Sequence, residues 1–235
     1  MRALVRRTYE VCRLGAQTQL GRSPFLYRLL HRVRSAPRSR NLVEPASDLC
    51  IEAPSGSGNS FFVNGFLMIN PNVRLAHHHH VAAQLLRGVA LGVPTAVILR
   101  DPIDCVVSRC TGAPWLIGPV FAQWIRFFTT AEALAPSLLL LSFASVTGNP
   151  GEAIERINRR FARSFASDFP EASRVFASMD EAYASAVREG AAARNPNRPD
   201  PSKTDRKRSI RPSVLSHRLA PAASTLYRRL LGGAQ

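Results

Sequence analysis

With 235 residues, 46% of them hydrophobic, the chain can bury one sizeable core, which argues for a single domain with a small annex and against a two-domain enzyme. The formal net charge of +15 favours polyanionic partners, yet neither basic end interleaves aromatic residues or carries a docking motif, so nucleic acid is not expected among them. The longest apolar stretches, such as Ser137 to Val146, fall well short of the roughly 20 residues that cross a bilayer.

The charge is unevenly placed. Residues 1 to 44 carry ten Arg against two Glu, residues 194 to 211 seven Lys or Arg against two Asp, and residues 45 to 193 eleven basic against twelve acidic side chains. A neutral centre lies between two basic ends, and the N-terminal end suits peripheral contact with an anionic membrane surface. Cys12, Cys50, Cys105 and Cys110 form no CxxC pair, and no secretory signal is evident. We therefore expect reduced thiols in a cytoplasmic protein, membrane-peripheral at most.

In chain order, Leu4, Val5, Tyr9 and Val11, then Phe25, Leu26, Leu29 and Leu30, recur at helical spacing between arginines. They predict a basic helical annex over residues 1–44, with a linker from Ser35 to Ser47. A solvated helix pair packed on the domain and an Arg-rich transit peptide both fit this pattern. The domain proper, residues 45–235, opens with a strand over Asp48–Ala53, a small-residue loop over Pro54–Ser60 and an apolar helix over Phe61–Ile69. A short strand over Asn72–Ala76 and a helix over Val81–Leu91 follow, the helix ended by Gly92 and Pro94. Thr95–Leu99 is wholly apolar after its first residue and reads as a strand buried on both faces of a parallel sheet. Asp104 is placed to cap the next helix, which runs through Cys105–Cys110. Then come a helix over Val120–Ala133, a strand over Leu138–Phe143, and a helix from Glu152 that turns Ile154, Ile157 and Phe161 to one side. This alternation predicts an α/β fold, a parallel sheet flanked by helices, with ligands at the carboxyl ends of its strands.

Two stretches carry chemistry. In Pro54-Ser-Gly-Ser-Gly-Asn-Ser60, between a strand and a helix, small residues let backbone amides wrap an anion, and Ser55, Ser57 and Ser60 can add hydroxyl donors. A plain flexible turn has the same composition. Asn59 stands where an ATP- or GTP-binding loop requires Lys, which disfavours an ordinary kinase or NTPase. In the second stretch, Arg100 leaves the end of a buried strand and Ser108 lies two turns into the next helix, so that both can reach one phosphate. The alternative is that Arg100 pairs with Asp101 or Asp104 and only fixes the turn.

In this order and spacing the two stretches resemble the motifs of sulfotransferases that use 3′-phosphoadenosine 5′-phosphosulfate (PAPS). Ser57-Gly58-Asn59-Ser60-Phe61 resembles the core of that family's 5′-phosphosulfate loop. Arg100-Asp101-Pro102-Ile103-Asp104, with Ser108, is similar to its 3′-phosphate element throughout. The resemblance covers roughly Asp48 onward and implies a P-loop sulfotransferase architecture, with PAPS as donor and no metal. Ser55 to Phe61, Arg100 and Ser108 would hold the donor. Lys203, Arg206 and Lys207, in Pro201-Ser-Lys-Thr-Asp-Arg-Lys207, resemble a basic segment that folds over it. The sequence departs from the family at Gly56, where members carry Lys or Arg to neutralise the leaving phosphate.

Relatives place a histidine general base at the end of the second strand, where this chain has His77 to His80. Alignment back from Arg100 selects His78, the local pattern selects His80, and His80 ranks first. A neutral imidazole near pKa ~6.5 suits removal of a hydroxyl proton. A metal cluster is weakened because neighbouring strand residues point to opposite faces. The expected activity is sulfuryl transfer from PAPS to a hydroxyl-bearing acceptor, for which saccharide and lipid-linked substrates both suit the basic rim. Loss of the loop cation leaves a second expectation, a non-catalytic nucleotide- or polyanion-binding relative. Trp115, Phe121 and Trp124, near the expected acceptor pocket, fit core positions better than a sugar platform.

Overall fold

A computed structural model of the chain describes residues 2–33, 41–189 and 203–232. Its centre is a four-stranded, all-parallel sheet of β1 (Leu49–Glu52), β2 (Leu75–His77), β3 (Thr95–Leu99) and β4 (Leu139–Ser142), in spatial order β2-β1-β3-β4. Every residue of β1 and β3 is buried, because helices cover both faces of the sheet. Alternate residues of β3 divide between two cores. Val97 and Leu99 join Leu85, Phe121, Trp124 and Phe128, while Ala96 and Ile98 join Phe62, Phe66, Leu141 and Ile154.

The first layer is built by α4 (Ala82–Ala90), α5 (Pro102–Cys110) and α6 (Ile117–Ala133), onto which α10 (Thr204–Leu215) and α11 (Ala220–Leu231) pack through Ile210, Val214, Ala223 and Leu226. The second layer holds α3 (Asn59–Ile69), α7 (Phe143–Gly148), α8 (Pro150–Phe161) and α9 (Ala172–Arg188). From β1 the chain steps outward through α3 to β2, then returns through α4 to β3 on the other side of β1. That reversal makes the carboxyl ends of β1 and β3 the crevice of the sheet.

The basic annex forms α1 (Arg2–Leu20) and α2 (Pro24–Val33), and it is packed against the sheet layers. Leu14 joins the first core, Tyr27 and Leu42 bury against Val81 and Ala83, and Val43 is fully buried with Cys50, Ala76 and Val93. The expected linker therefore contributes core residues at 42 and 43, while 34–40 lie outside the described residues. Ala83 N donates to Gly21 O at 2.7 Å, and a Cβ on Gly21 would stand 2.7 Å from Val81 Cβ. Glycine is thus required for the annex to lie so close.

Two local expectations are corrected. The strand expected at Asn72–Ala76 lies at Leu75–His77. Asp101, not Asp104, caps α5, its side chain accepting from Ile103 N and Asp104 N. Pro102 occupies the first helical position, so the residue before it is the cap. Trp124 and Phe121 are buried core residues, whereas Trp115 donates to Glu10 and lies under Arg7.

Candidate functional site

The carboxyl ends of β1, β2 and β3 bring together the loop 54–60, the histidine run and Arg100. Gly56 and Gly58 turn the loop with φ of 94° and 77°, values that favour glycine, and the loop runs into the N-terminus of α3. No side chain caps α3. The amides of its first turn, at Asn59, Ser60 and Phe61, have no carbonyl within the helix to bond and carry the positive end of its dipole. Asn59 is buried, and neither its Oδ1 nor its Nδ2 has a hydrogen-bond partner. An uncapped helix end with an unsatisfied buried amide suits an anion.

The loop is pinned from the β3 side. Arg100 donates from Nη1 to Gly56 O at 2.6 Å, and its guanidinium lies 4.0 Å above the Phe143 ring. The carboxylates that could have held Arg100 are engaged elsewhere: Asp101 caps α5 and Asp104 pairs with Arg211 of α10 at 2.7 Å. Ser108 lies beneath the same loop, its Cβ 3.5 Å from where a Cβ on Gly56 would stand, and the Cys105 carbonyl is 3.0 Å from that point. A lysine or arginine at position 56 would therefore combine a strained backbone with a collision, so this loop cannot take the usual cation there without moving.

Among the loop serines the roles differ. Ser57 is fully buried and its Oγ lies 3.0 Å from Cys105 Sγ, a contact that ties the loop to α5. Burial pushes the Cys105 thiol up to about 11. Ser60 Oγ shares a hydrogen bond with His78 Nε2 at 3.0 Å, and Ser55 is partly exposed at the loop surface. Phe61 packs against Phe169 and Phe176 and lines a groove of about 740 Å³ that also takes in Thr147, Asn149, Asp168 and Arg174. Thr147 reaches to 3.5 Å of the Gly58 Cβ position, so groove and loop adjoin.

The histidines do not alternate as on a strand, because only His77 belongs to β2. His78 and His80 both take left-handed backbone, with φ of 64° and 59°, and their ring centroids lie 5.8 Å apart. His80 Nδ1 is 2.5 Å from Ala53 O. A carbonyl only accepts, so Nδ1 carries the proton and the basic lone pair of His80 is on Nε2. His78 instead uses Nε2 toward Ser60 and Nδ1 toward His77. Burial, and then the proximity of His80, lowers His77 to about 4.

Glu52, the last residue of β1, was not among the residues singled out from sequence. It is fully buried, and its two carboxylate oxygens accept from His79 N and His80 N, each at 2.9 Å. Burial pushes its carboxyl up to about 7, against the amides of His79, His80 and Ala53, which lower it. The available signal was an acid inside an otherwise apolar strand.

The basic C-terminal segment is placed by α10, which packs on α5, the helix that carries Ser108. Lys203 stands at its start, Lys207 is half-buried and Arg206 is exposed; residues 201 and 202 lie outside the described residues. No family model matches the chain, and no curated protein matches it in sequence.

Proposed function

We propose that the chain is a sulfotransferase that moves a sulfuryl group from PAPS to an acceptor hydroxyl. The observation that carries this reading is the convergence, at one crevice, of an uncapped helix N-terminus, Arg100 with Ser108, and a histidine whose basic nitrogen is fixed as Nε2. The amides of Gly58 to Phe61 would hold the 5′-phosphosulfate and Asn59 would complete them. Arg100 and Ser108 would hold the 3′-phosphate, and the groove beside Phe61 has room for the base, being within the roughly 300–1,000 Å³ usual for ligand sites.

In the reaction, His80 Nε2 takes the acceptor hydroxyl proton as the acceptor oxygen bonds to sulfur. The sulfur–oxygen bond to the 5′-phosphate breaks in line, and its electron pair leaves on the phosphate oxygen. His80 is favoured over His78 because its Nδ1 is anchored on the Ala53 carbonyl, which assigns the basic lone pair to Nε2. Gly56 removes the cation that usually meets the leaving phosphate.

The test is thermal unfolding with 3′-phosphoadenosine 5′-phosphate, with ADP and AMP as controls. Ligand at about 100 times its dissociation constant adds roughly 2.7 kcal/mol, or several degrees for a domain of this size. A shift confined to the 3′-phosphorylated nucleotide supports the donor site, and transfer of label from PAPS to an acceptor tests the chemistry. Equal shifts with ADP, or none with any nucleotide, would overturn the reading.

A further inference from the structure

The turn that presents His80 is held from two directions, and neither hold belongs to the donor loop. Two non-glycine residues within three positions, His78 and His80, have left-handed backbone. Such conformations persist only where the surroundings impose them. Between them, the consecutive amides of His79 and His80 converge on the Glu52 carboxylate, an anion-binding nest filled by the protein's own side chain. The second hold comes from the annex. Tyr27 OH shares a 3.0 Å hydrogen bond with His79 Nδ1, Gln17 Nε2 donates to His79 O at 3.1 Å, and Gly21 lies against Val81, the residue after His80. The Tyr27 ring also meets the His79 ring edge-on at 5.6 Å.

We propose that Glu52 and, through His79, Tyr27 of the annex are positioning residues that fix the direction and tautomer of the His80 ring. The proposal rests on His80 being the base of the reaction proposed above, but its geometric content does not depend on turnover. Glu52 orients the amide of His80, so the ring is set where Nδ1 meets the Ala53 carbonyl and Nε2 carries the basic lone pair. Ala53 follows Glu52 directly, so one strand end supplies both the carboxylate and the carbonyl that hold His80. The basic annex is on this view part of the site, contributing a hydroxyl 52 residues distant in sequence from the histidine it holds.

The experiment compares wild type with Glu52→Gln and Tyr27→Phe by two readouts. Ring nitrogen correlation spectra of the histidines report the His80 tautomer, and steady-state kinetics report kcat and the KM for PAPS. We expect wild-type His80 to be protonated on Nδ1. In both variants the two tautomers become mixed, and kcat falls by up to about 100-fold, as for a displaced catalytic group, with the PAPS KM within about twofold of wild type. An unchanged His80 tautomer in both variants overturns the proposal, whatever happens to turnover. A parallel rise in KM with constant kcat also overturns it. If wild type turns over no acceptor yet the tautomer still responds, the positioning role stands and sulfuryl transfer is what fails. Should Glu52→Gln not fold, Tyr27→Phe, which removes one hydroxyl, decides the matter alone.

Discussion

Replacing Glu52 with glutamine isolates what it costs this fold to keep a carboxyl in its interior. Burial raises the group from an ordinary 4.5 to about 7, even though three backbone amides favour its charged form. Between those values the folded chain holds a proton that the unfolded chain has released, so stability falls as pH rises through the window. At ~1.4 kcal/mol per pH unit, the loss is roughly 3 kcal/mol. Glutamine cannot ionise, so the stability of the variant minus that of wild type should rise by roughly 3 kcal/mol from about pH 4.5 to above pH 7, whatever its starting offset. His77 works in the opposite sense. Held down to about 4 by burial and then by His80, it resists protonation in the fold and adds stability as pH rises from 4 to 6.5. Burial, the larger cause, is common to both proteins, so most of that contribution drops out of the difference. Urea unfolding at a series of pH values measures it directly. A difference that stays flat across the window, or falls with rising pH, would refute the reasoning.

Three further outcomes are expected. Arg100→Ala should weaken binding of 3′-phosphoadenosine 5′-phosphate by ~10- to 100-fold, the range for a lost hydrogen bond to a charged group, and leave ADP binding unchanged in calorimetric titration. Gly56→Lys, which restores the side chain usual in the resembling family, should destabilise the chain by ~1–3 kcal/mol. Its φ of 94° and the Cys105 carbonyl 3.0 Å from the new Cβ are the causes, and a melting temperature equal to wild type would show that the loop yields. Gly21→Ala should loosen the annex, because its methyl meets Val81 at 2.7 Å. Faster hydrogen exchange at Ala83, whose amide bonds to Gly21 O, should then occur while the β3 amides stay protected.

Much of the sheet was legible because β3 and the apolar part of β4 are uninterrupted runs that only a doubly covered strand can accommodate. The loop was legible for a similar reason: its small residues are the types that a tight turn with positive φ demands. The geometry of the histidine run was hidden. Four identical residues carry no periodicity, and the Glu52 carboxylate that the His79 and His80 amides bond lies 27 to 28 positions away. The Ser57 contact with Cys105 was hidden for a related reason, since it depends on the helix packed behind the loop. Helices α9 and α11 were not anticipated, because alanines and scattered single apolar residues supply much of their inner faces.

The abrupt change in charge near residue 45 invites treating the arginine-rich helices as a detachable cassette, and the packing of Val43 argues otherwise. A chain begun at Pro45 would retain the loop, Arg100 and Ser108, yet it would uncover the wall of Cys50, Ala76 and Val93 that Val43 fills. That one side chain represents roughly 1.5–3 kcal/mol of burial, and Tyr27 and Leu42 would go with it. The smallest unit that folds with an intact histidine turn therefore includes the basic helices, and transplanting them between proteins should fail unless Val81 and Ala83 travel with them.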